Sequence, residues 1–354
     1  MMAAPVLIMA GGTGGHIFPG LAVAAALRAR GVPVAWLGGR VGLEGRLVPA
    51  AGIELDAIEI SGLRGKGWRT LLAAPLRLLR AIVQARRVFA ARRPRCAVSF
   101  GGYAAGPGGV VAWLRGCPLL VHEQNSVAGL TNRLLARLAR RVLCGFPDAL
   151  PGGEWVGNPV RASITALAPP AQRLAEHADA PLRVLVLGGS QGARALNEHV
   201  PQALAGVAAE VWHQCGERQA EAARLAYAEA GVTVRLEPFI EHMDAAYGWA
   251  DLVICRAGAL TIAELAAVGV AALLVPFPHA VDDHQSRNAD WLAAAGAAER
   301  LDEGVDLARR LGIRIRALAE DRPRLLRMAE AGRALARSDA AERVADACLA
   351  EARA

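Results

Sequence analysis

The sequence of 354 residues contains no apolar run long enough to cross a bilayer and no C-x-x-C pair. A membrane-spanning helix needs about 20 predominantly apolar residues, so the sequence predicts no transmembrane segment. The N-terminus lacks the basic start of a secretory signal peptide, and we expect none. The six cysteines are expected to be buried thiols of a reducing compartment, which indicates a cytoplasmic protein.

Three common signatures of nucleotide and metal sites are also missing. The glycine-rich stretches do not spell G-x-G-x-x-G, no G-K-[ST] follows any of them, and there is no D-x-D. These absences disfavour a nicotinamide dehydrogenase and a P-loop ATPase. Two histidines and two aspartates lie within 279–284, but without a familiar ligand spacing, so we predict neither a metal nor a cofactor.

Positive charge is concentrated in one segment. Between Ile60 and Arg141 there are fifteen basic residues and one acid, Glu123, in a chain whose net charge is +7. That segment alone carries +14, so an anionic surface is expected to face the first half only. Aromatic residues make up 5% of the sequence and no nucleic-acid-binding module is recognisable, so we predict no nucleic-acid partner.

Two glycine-rich turns mark the chain most clearly. VLIMAGGTGG (6–15) and VLVLGGSQGA (184–193) each place an apolar strand before a glycine turn. Aligning Gly11 with Gly188 also aligns Thr13 with Ser190 and Gly15 with Gly192. A strand, a glycine turn and a helix leave backbone N–H groups at the helix N-terminus, where a phosphate binds well. Tight turns without a ligand are the alternative.

Short apolar runs typical of strands alternate with helical patterns in both halves of the chain. The strands are predicted at 6–9, 34–38, 97–100, 118–121, 142–144, 154–156, 183–187, 211–214, 232–236, 252–255 and 271–275. This alternation predicts an α/β protein with two Rossmann-like, doubly wound parallel-sheet domains. We place the domains at 1–162 and 163–337, with a linker at 166–181 and a terminal helix, 338–354, that can pack back on the first domain.

A helical region with an interruption near Pro75 is predicted for 68–91. Leu72, Leu76, Leu79 and Val83 recur at helical spacing and predict a core stripe. Leu71, Leu78, Ile82 and Phe89 form a second apolar line, with arginines alongside. Two interpretations stay open, a helix at a bilayer interface and a buried helix with a solvated arginine face.

Polar residues follow several strands at the expected ligand edge of each sheet. His122, Glu123, Gln124 and Asn125 follow one strand, and Gln285 and Asn288, which suit a neutral sugar, follow another. Thr261 and Glu264 match the T-x-x-E capping box, but the preceding strand and the glycine loop favour a ligand site, in which Glu264 accepts hydrogen bonds from two sugar hydroxyls. His16 opens the first helix, where the dipole favours the neutral imidazole that can accept a proton.

In this order the motifs resemble glycosyltransferase family 28, the bacterial enzymes that add N-acetylglucosamine to lipid I in peptidoglycan synthesis. The resemblance rests on AGGTGGHIFPGLA (10–22), SGLRGKG (61–67), GGYAAGPGG (101–109), HEQN (122–125), GLTN (129–132), GNPVR (157–161), GGSQGAR (188–194), RAGALTIAE (256–264) and PFPHAVDDHQSRNA (276–289). One difference is Ala105, where relatives often carry serine, which puts a hydroxyl contact to the acceptor there in doubt.

The resemblance implies a GT-B fold with the active site in the interdomain cleft. It implies inverting transfer of N-acetylglucosamine from UDP-N-acetylglucosamine (UDP-GlcNAc) to the muramoyl 4-hydroxyl of lipid I, giving lipid II and UDP. It further implies a peripheral enzyme on the cytoplasmic side of the inner membrane, with UDP-GlcNAc, lipid I and an anionic membrane surface as its partners. The rival functions are a UDP-GlcNAc epimerase and a non-catalytic membrane-bound scaffold that keeps a nucleotide site.

The resemblance also assigns residues to the substrates. Those assigned to UDP-GlcNAc are Thr13, Gly14, Gly15, Asn125, Arg161, Ser190, Ile240, Ala259, Leu260, Thr261, Ile262, Ala263, Glu264 and Gln285, with Arg256, Asn288 and Tyr103 as further candidates. Ser190 would meet the diphosphate, the backbone of Ile240 the uracil, and Glu264 the ribose. The loops at 13–16 and 101–109 would face the acceptor diphosphate. His16 is the candidate base and Glu123 the alternative.

Overall fold

The computed structural model describes residues 4–40, 42–60, 74–177, 180–189 and 192–352. The chain divides into two compact units, one of residues 1–161 and 337–354 and the other of residues 162–336. The first crossing lies at Arg161, ahead of the segment predicted as a linker. That segment belongs to the second unit and contains a helix, Pro170–Ala175.

The first unit is a parallel sheet with helices on both faces. Its strands are β1 (Val6–Ala10), β2 (Val34–Gly39), β3 (Glu54–Ile58), β4 (Cys96–Gly101), β5 (Leu119–Glu123), β6 (Arg141–Cys144) and β7 (Glu154–Trp155), in the order β3-β2-β1-β4-β5-β6-β7. Its helices are α1 (Gly14–Ala29), α2 (Leu43–Ala50), α3 (Ala74–Arg92), α4 (Ala105–Leu114), α5 (Leu130–Leu135) and, from the chain end, α15 (Ala340–Glu351).

The second unit repeats the plan. Its strands are β8 (Leu182–Leu187), β9 (Ala209–Gln214), β10 (Arg235–Glu237), β11 (Leu252–Cys255), β12 (Ala271–Leu274) and β13 (Ala298–Arg300), in the order β10-β9-β8-β11-β12-β13. Its helices are α6 (Ala162–Thr165), α7 (Pro170–Ala175), α8 (Arg194–Leu204), α9 (Ala220–Glu229), α10 (Met243–Trp249), α11 (Ala259–Val268), α12 (His284–Ala294), α13 (Leu307–Glu320) and α14 (Arg322–Leu335). The predicted class, two doubly wound parallel sheets, is confirmed.

The continuous apolar strands have the burial expected of a sheet covered on both faces. In β1, Val6 and Ile8 pack into one layer of the core, and Leu7 and Met9 pack into the other. The terminal helix α15 completes the first of these layers with Val344 and its neighbours. The last helix of the chain therefore forms part of the first unit's core.

The prediction for the basic helix assigned its faces wrongly. Helix α3 begins at Ala74, so Pro75 lies in its first turn; residues 68–73 of the predicted helix lie outside the described residues. Ala81, Ala85 and Phe89 face the core. The leucines and valine predicted as the core stripe are exposed instead: Leu76 by 72%, Leu79 by 58% and Val83 by 42%. Alanine allows the helix to pack closely against its neighbours, which leaves the larger side chains outside.

Several arginines of the basic segment are paired with acids of the same unit. Arg92 contacts Asp56 at 2.8 Å, Arg80 contacts Glu59 at 3.2 Å, and Arg141 contacts Glu154 at 2.5 Å. These acids lie outside the segment in sequence, so the folded surface is less one-sided than the sequence suggests. No helix of the described residues is long and apolar enough to cross a membrane.

Candidate functional site

Each sheet reverses its strand order at one point, and the glycine loops lie at these points. In the first sheet β1 and β4 are neighbours, so the loops that follow them, 11–13 and 102–104, emerge side by side. In the second sheet β8 and β11 are neighbours, so the turn that begins at Gly188 and the loop 256–258 start side by side. Ligands of doubly wound sheets bind at such switch points, beyond the carboxyl ends of the strands.

The two loops of the first unit are in backbone contact. Gly102 has a φ of +84°, and a Cβ on it would lie 2.1 Å from the carbonyl oxygen of Gly11. Only glycine can occupy this position, because both the backbone angle and the close approach exclude a side chain. The ring of Tyr103, half exposed, lies beside Gly12, and Ala105 is buried at the start of α4.

Glu44 of α2 was not identified from the sequence, yet its side chain contacts the loop 11–13. The residue is 3% exposed, and its carboxylate accepts hydrogen bonds from the N–H of Gly12 and the N–H of Gly39, each at 3.2 Å. A Cβ on Gly11 would approach Glu44 Oε1 to 2.8 Å. Because a carboxylate already binds the N–H of Gly12, a phosphate at this loop would bind farther along, at Gly14 and Gly15.

His16 is the third residue of α1 and is half-buried. Its Nδ1 lies 3.4 Å from Thr13 Oγ1, a contact that can orient the imidazole. The opposite edge of the ring faces β4: a Cβ on Gly101 would lie 3.4 Å from His16 Nε2 and 3.4 Å from Asn132 Nδ2. The structure therefore places His16 at the switch point of the first sheet, between Thr13 and the end of β4.

His122 and Glu123 end β5 and Gln124 follows directly; all three are buried rather than exposed at the sheet edge. His122 is fully buried, with its Nε2 2.9 Å from the carbonyl oxygen of Gly157 and its Nδ1 3.1 Å from Gln124 Nε2. Burial lowers the pKa of His122 to about 4, so the imidazole is neutral at pH 7. His122 and Gln124 thus tie β5 to the loop at Gly157.

Glu123, the alternative base, is buried with four hydrogen-bond donors around its carboxylate. Oε1 accepts from Asn125 N at 2.9 Å and from Asn125 Nδ2 at 3.3 Å, and Oε2 accepts from Asn132 Nδ2 at 3.0 Å and Gly129 N at 3.2 Å. Burial raises the pKa of Glu123, an effect that these donors oppose. The carboxylate holds the loop 125–129 in place. The amide of Asn125 is engaged in the same network.

The first loop of the second unit differs from its counterpart in length. Gly12 and Gly189 are equivalent, since each follows the strand with a positive φ, +97° and +77°. Gly15, however, lies in α1, whereas Gly192 is still in the loop with a φ of +77°, and α8 begins only at Arg194. The predicted pairing of Gly15 with Gly192 is therefore not kept in the structure. Ser190, assigned to the diphosphate, lies outside the described residues.

Helix α11 begins directly after the second loop of this unit. Gly258 is its N-cap, so Thr261 lies inside the helix, which excludes the alternative of a Thr261–Glu264 capping box. Ala259 and Ile262 are buried, while Leu260, Thr261 and Ala263 are half-buried in the first turns. Glu264 is buried, 6% exposed, and its carboxylate accepts a hydrogen bond from the hydroxyl of Tyr247 at 3.0 Å. Tyr247 was not identified from the sequence.

Ile240, assigned to the uracil, is buried beyond the end of β10. Its N–H donates to Gln214 Oε1 at 3.0 Å. Gln214 ends β9 and is itself buried, so it fixes the backbone at Ile240. A base that used this N–H would have to displace the glutamine side chain.

Gln285, Asn288 and Arg256 are each hydrogen-bonded to other groups of the second unit. Phe277 N donates to Gln285 Oε1 at 2.9 Å, and the buried Asn288 donates from Nδ2 to the carbonyl oxygen of Ala257 at 3.1 Å. Arg256 Nη1 contacts Glu303 at 2.6 Å and the carbonyl oxygens of Val275 and Pro276, both at 3.1 Å. Arg256 thus holds the loop 275–277 together, which argues against a role at the leaving group. Arg161, in the first unit, lies over the ring of Phe18.

The described residues offer no evident set of metal ligands. Among the described residues, no three histidine, cysteine, aspartate or glutamate side chains are grouped in a way that could hold an ion. Backbone N–H groups at the starts of α1, α8 and α11 are the features of both units that suit an anionic ligand.

Comparison with known proteins matches both units. The chain matches the N-terminal domain model of glycosyltransferase family 28 over residues 6–144 and the C-terminal domain model of that family over residues 183–344. A protein of Alkalilimnicola ehrlichii named UDP-N-acetylglucosamine–N-acetylmuramyl-(pentapeptide) pyrophosphoryl-undecaprenol N-acetylglucosamine transferase is 60% identical over 99% of this chain and its own full length. A protein of the same name from Xanthomonas euvesicatoria is 59% identical over 99% of this chain and 82% of its own.

Solved structures with the same fold include a member of this family. The crystal structure of MurG from Acinetobacter baumannii is 42% identical, covers 98% of this chain and all of its own, and superposes with a TM-score of 0.84. UDP-GlcNAc 2-epimerase from Neisseria meningitidis superposes with a TM-score of 0.68 at 13% identity, over 98% of this chain and 100% of its own. At that identity the likeness to the epimerase shows a common fold alone.

Proposed function

The chain belongs to glycosyltransferase family 28, and we propose that it transfers N-acetylglucosamine from UDP-GlcNAc to the muramoyl 4-hydroxyl of lipid I, giving lipid II and UDP. The observation that carries the proposal is the 60% identity, over 99% of the chain, to a transferase named for this reaction. The two glycine-rich switch points support it, because the reaction brings together two diphosphate groups, one on each substrate.

The second unit is proposed to hold the donor. The starts of α8 and α11 offer backbone N–H groups to the diphosphate, and Glu264 accepts from the ribose hydroxyls. When the bond between the sugar C1 and the phosphate oxygen breaks, the oxygen takes the electron pair and UDP gains charge. The N-terminal ends of α8 and α11 stabilise that charge.

The first unit is proposed to hold the acceptor and the base. The acceptor diphosphate binds at Gly14 and Gly15, beyond the N–H that Glu44 occupies. His16 takes the proton of the 4-hydroxyl as its oxygen attacks C1 from the side opposite UDP, which inverts the configuration. The contact with Thr13 Oγ1 fits the tautomer in which Nδ1 carries hydrogen and Nε2 accepts the proton.

An assay with labelled UDP-GlcNAc and a lipid I analogue tests the reaction. We expect label in the lipid product, with one UDP released per transfer, because both substrate sites are needed for turnover. The released UDP and the labelled lipid are measured together, with acceptor omitted as the control. UDP released without acceptor would support the epimerase alternative, and nucleotide bound but unchanged would support a non-catalytic scaffold.

We also propose that the first unit binds the cytoplasmic face of an anionic membrane as a peripheral protein. The exposed α3 face consists of Leu76, Leu79 and Val83, which recur at i, i+3 and i+7, with Arg80 and Arg87 exposed on the same side. Exposed Trp113 and Leu114 end the neighbouring helix α4. Apolar side chains flanked by arginines suit the headgroup region of a bilayer, where lipid I also lies.

Replacing the exposed α3 face by serine (Leu76→Ser, Leu79→Ser, Val83→Ser) should weaken binding to phosphatidylglycerol-containing vesicles. At about 0.8 kcal/mol per buried CH₂, loss of three partly inserted side chains lowers the partition coefficient by roughly 100-fold. The measurement is vesicle co-sedimentation at low and high salt.

The matched control replaces three exposed aliphatic residues of the second unit, Leu225, Val305 and Ile313, which are 56%, 102% and 46% exposed. This variant should bind vesicles as the unchanged protein does. Equal binding by the α3 variant and the control would rule out the exposed α3 face as the membrane contact.

A further inference from the structure

A buried tyrosine is bonded to the carboxylate proposed to bind the ribose. Tyr247 of α10 is fully buried, and its hydroxyl donates to Glu264 Oε2 at 3.0 Å. Glu264 lies in the second turn of α11, and helical side chains lean toward the N-terminus of their helix. The carboxylate therefore leans toward the end of α11 where the nucleotide is proposed to bind.

Tyr247 is itself held from the far end of α11. Arg173 of α7 is 7% exposed and donates to the carbonyl oxygen of Tyr247 at 3.3 Å. The same guanidinium donates to the carbonyl oxygens of Val268 at 3.0 Å and Gly269 at 2.5 Å, where α11 ends. Arg173 thus ties α10 to the end of α11, and the tyrosine hydroxyl ties α10 to its second turn. The two contacts fix the position of the hydroxyl relative to Glu264.

We propose that Tyr247 is a positioning residue that orients Glu264 for the two ribose hydroxyls and so sets the preference for ribonucleotides over 2′-deoxyribonucleotides. The inference rests on the proposed donor site. A carboxylate oxygen has two lone pairs, so Oε2 can accept from both Tyr247 and one ribose hydroxyl, while Oε1 accepts from the other. Holding the carboxylate plane in advance lowers the entropy lost when the ribose binds.

A site built around a hydroxyl rejects the ligand that lacks it, because the protein group is then left without its partner. Discrimination between UDP and 2′-deoxy-UDP therefore depends on the orientation of Glu264. Without the hydroxyl of Tyr247 the carboxylate can adopt other rotamers, and the preference for the ribonucleotide should fall. Affinity for 2′-deoxy-UDP should fall by less, because that ligand keeps only the 3′-hydroxyl contact with Glu264.

The test measures binding of UDP and 2′-deoxy-UDP to the full chain by calorimetry. The unchanged protein should prefer UDP, and Tyr247→Phe should weaken UDP binding by about 10-fold, the size of a hydrogen bond to a charged group, and 2′-deoxy-UDP binding by only about threefold. In a Glu264→Ala background, which removes the acceptor, Tyr247→Phe should have no further effect on the ratio, since a residue that acts through another loses its effect when that other is removed.

Tyr227→Phe is the matched control. Tyr227 is also buried in the second unit, and its hydroxyl lies 2.8 Å from His213 Nδ1, away from Glu264 in the hydrogen-bond network. This variant should lose a comparable hydrogen bond and keep the nucleotide preference. A preference unchanged in Tyr247→Phe, or weakened equally in both tyrosine variants, would overturn the inference. Failure of the unchanged protein to bind UDP at all would instead overturn the proposed donor site.

Discussion

His16→Ala should lower the rate of sugar transfer by about 100-fold or more, the usual contribution of a general base. The reason is positional: His16 lies at the switch point of the first sheet, beside Gly101 and in contact with Thr13. The affinity for UDP should be unchanged, because the donor is proposed to bind the second unit. Steady-state kinetics with both substrates, together with UDP binding, measure the two effects separately.

Glu123→Gln is the informative comparison. Its carboxylate accepts four hydrogen bonds from the loop 125–129 and α5, so we expect the variant to lower the free energy of unfolding of the first unit. Any loss of activity should accompany that destabilisation. Near-normal turnover of His16→Ala, with a large loss of kcat in a fully folded Glu123→Gln protein, would make Glu123 the base instead.

Acidification should destabilise the protein strongly between pH 7 and pH 5, because two histidines are buried in the neutral form. Burial lowers the pKa of His122 to about 4 and that of His213 to about 3. Above pH 6.5 both are neutral in the folded and unfolded states. Below it the unfolded chain binds protons that the folded chain does not, so stability falls with pH. At pH 5 the loss is about 2 kcal/mol per histidine.

The second unit offers the clearer test of this effect. In the first unit, burial raises the pKa of Glu123. As the pH falls, the folded state therefore binds this proton before the unfolded state does, and this offsets part of the destabilisation caused by His122. His213→Gln removes the titrating group and can keep a contact with Tyr227. Urea unfolding at pH 7, 6 and 5 should show a shallower decline for this variant than for the unchanged protein. Parallel declines would contradict the prediction.

The sequence predicted the strands of both sheets where apolar runs are buried on two faces, as at Val6–Ala10 and Leu182–Leu187. It missed the edge strands Glu54–Ile58 and Ala298–Arg300, which are polar or very short. It also located the predicted strand at 232–236 too early, since β10 covers Arg235–Glu237. Edge strands are covered on fewer sides, so their sequences carry less hydrophobic signal.

In the candidate site, too, residues with a local sequence signal were found and residues without one were missed. The glycine motifs and His16 could be found from residue types alone, because a turn that needs positive φ or a close approach selects glycine. Glu44 and Tyr247 gave no local signal: their partners lie 32 and 17 residues away in the chain. Glu123 and Asn288 looked like ligand-binding groups, and the fold uses both to hold loops in place.

By itself the sequence determined two parallel sheets, their glycine turns and the family, because strand hydrophobicity and turn conformation are local properties of the chain. The tertiary structure decided which face of α3 is exposed, which N–H of the first loop is already bonded to a carboxylate, and which polar side chains are buried. These outcomes depend on how closely helices pack and on which donors and acceptors meet across the fold, and no single stretch of sequence encodes such distances.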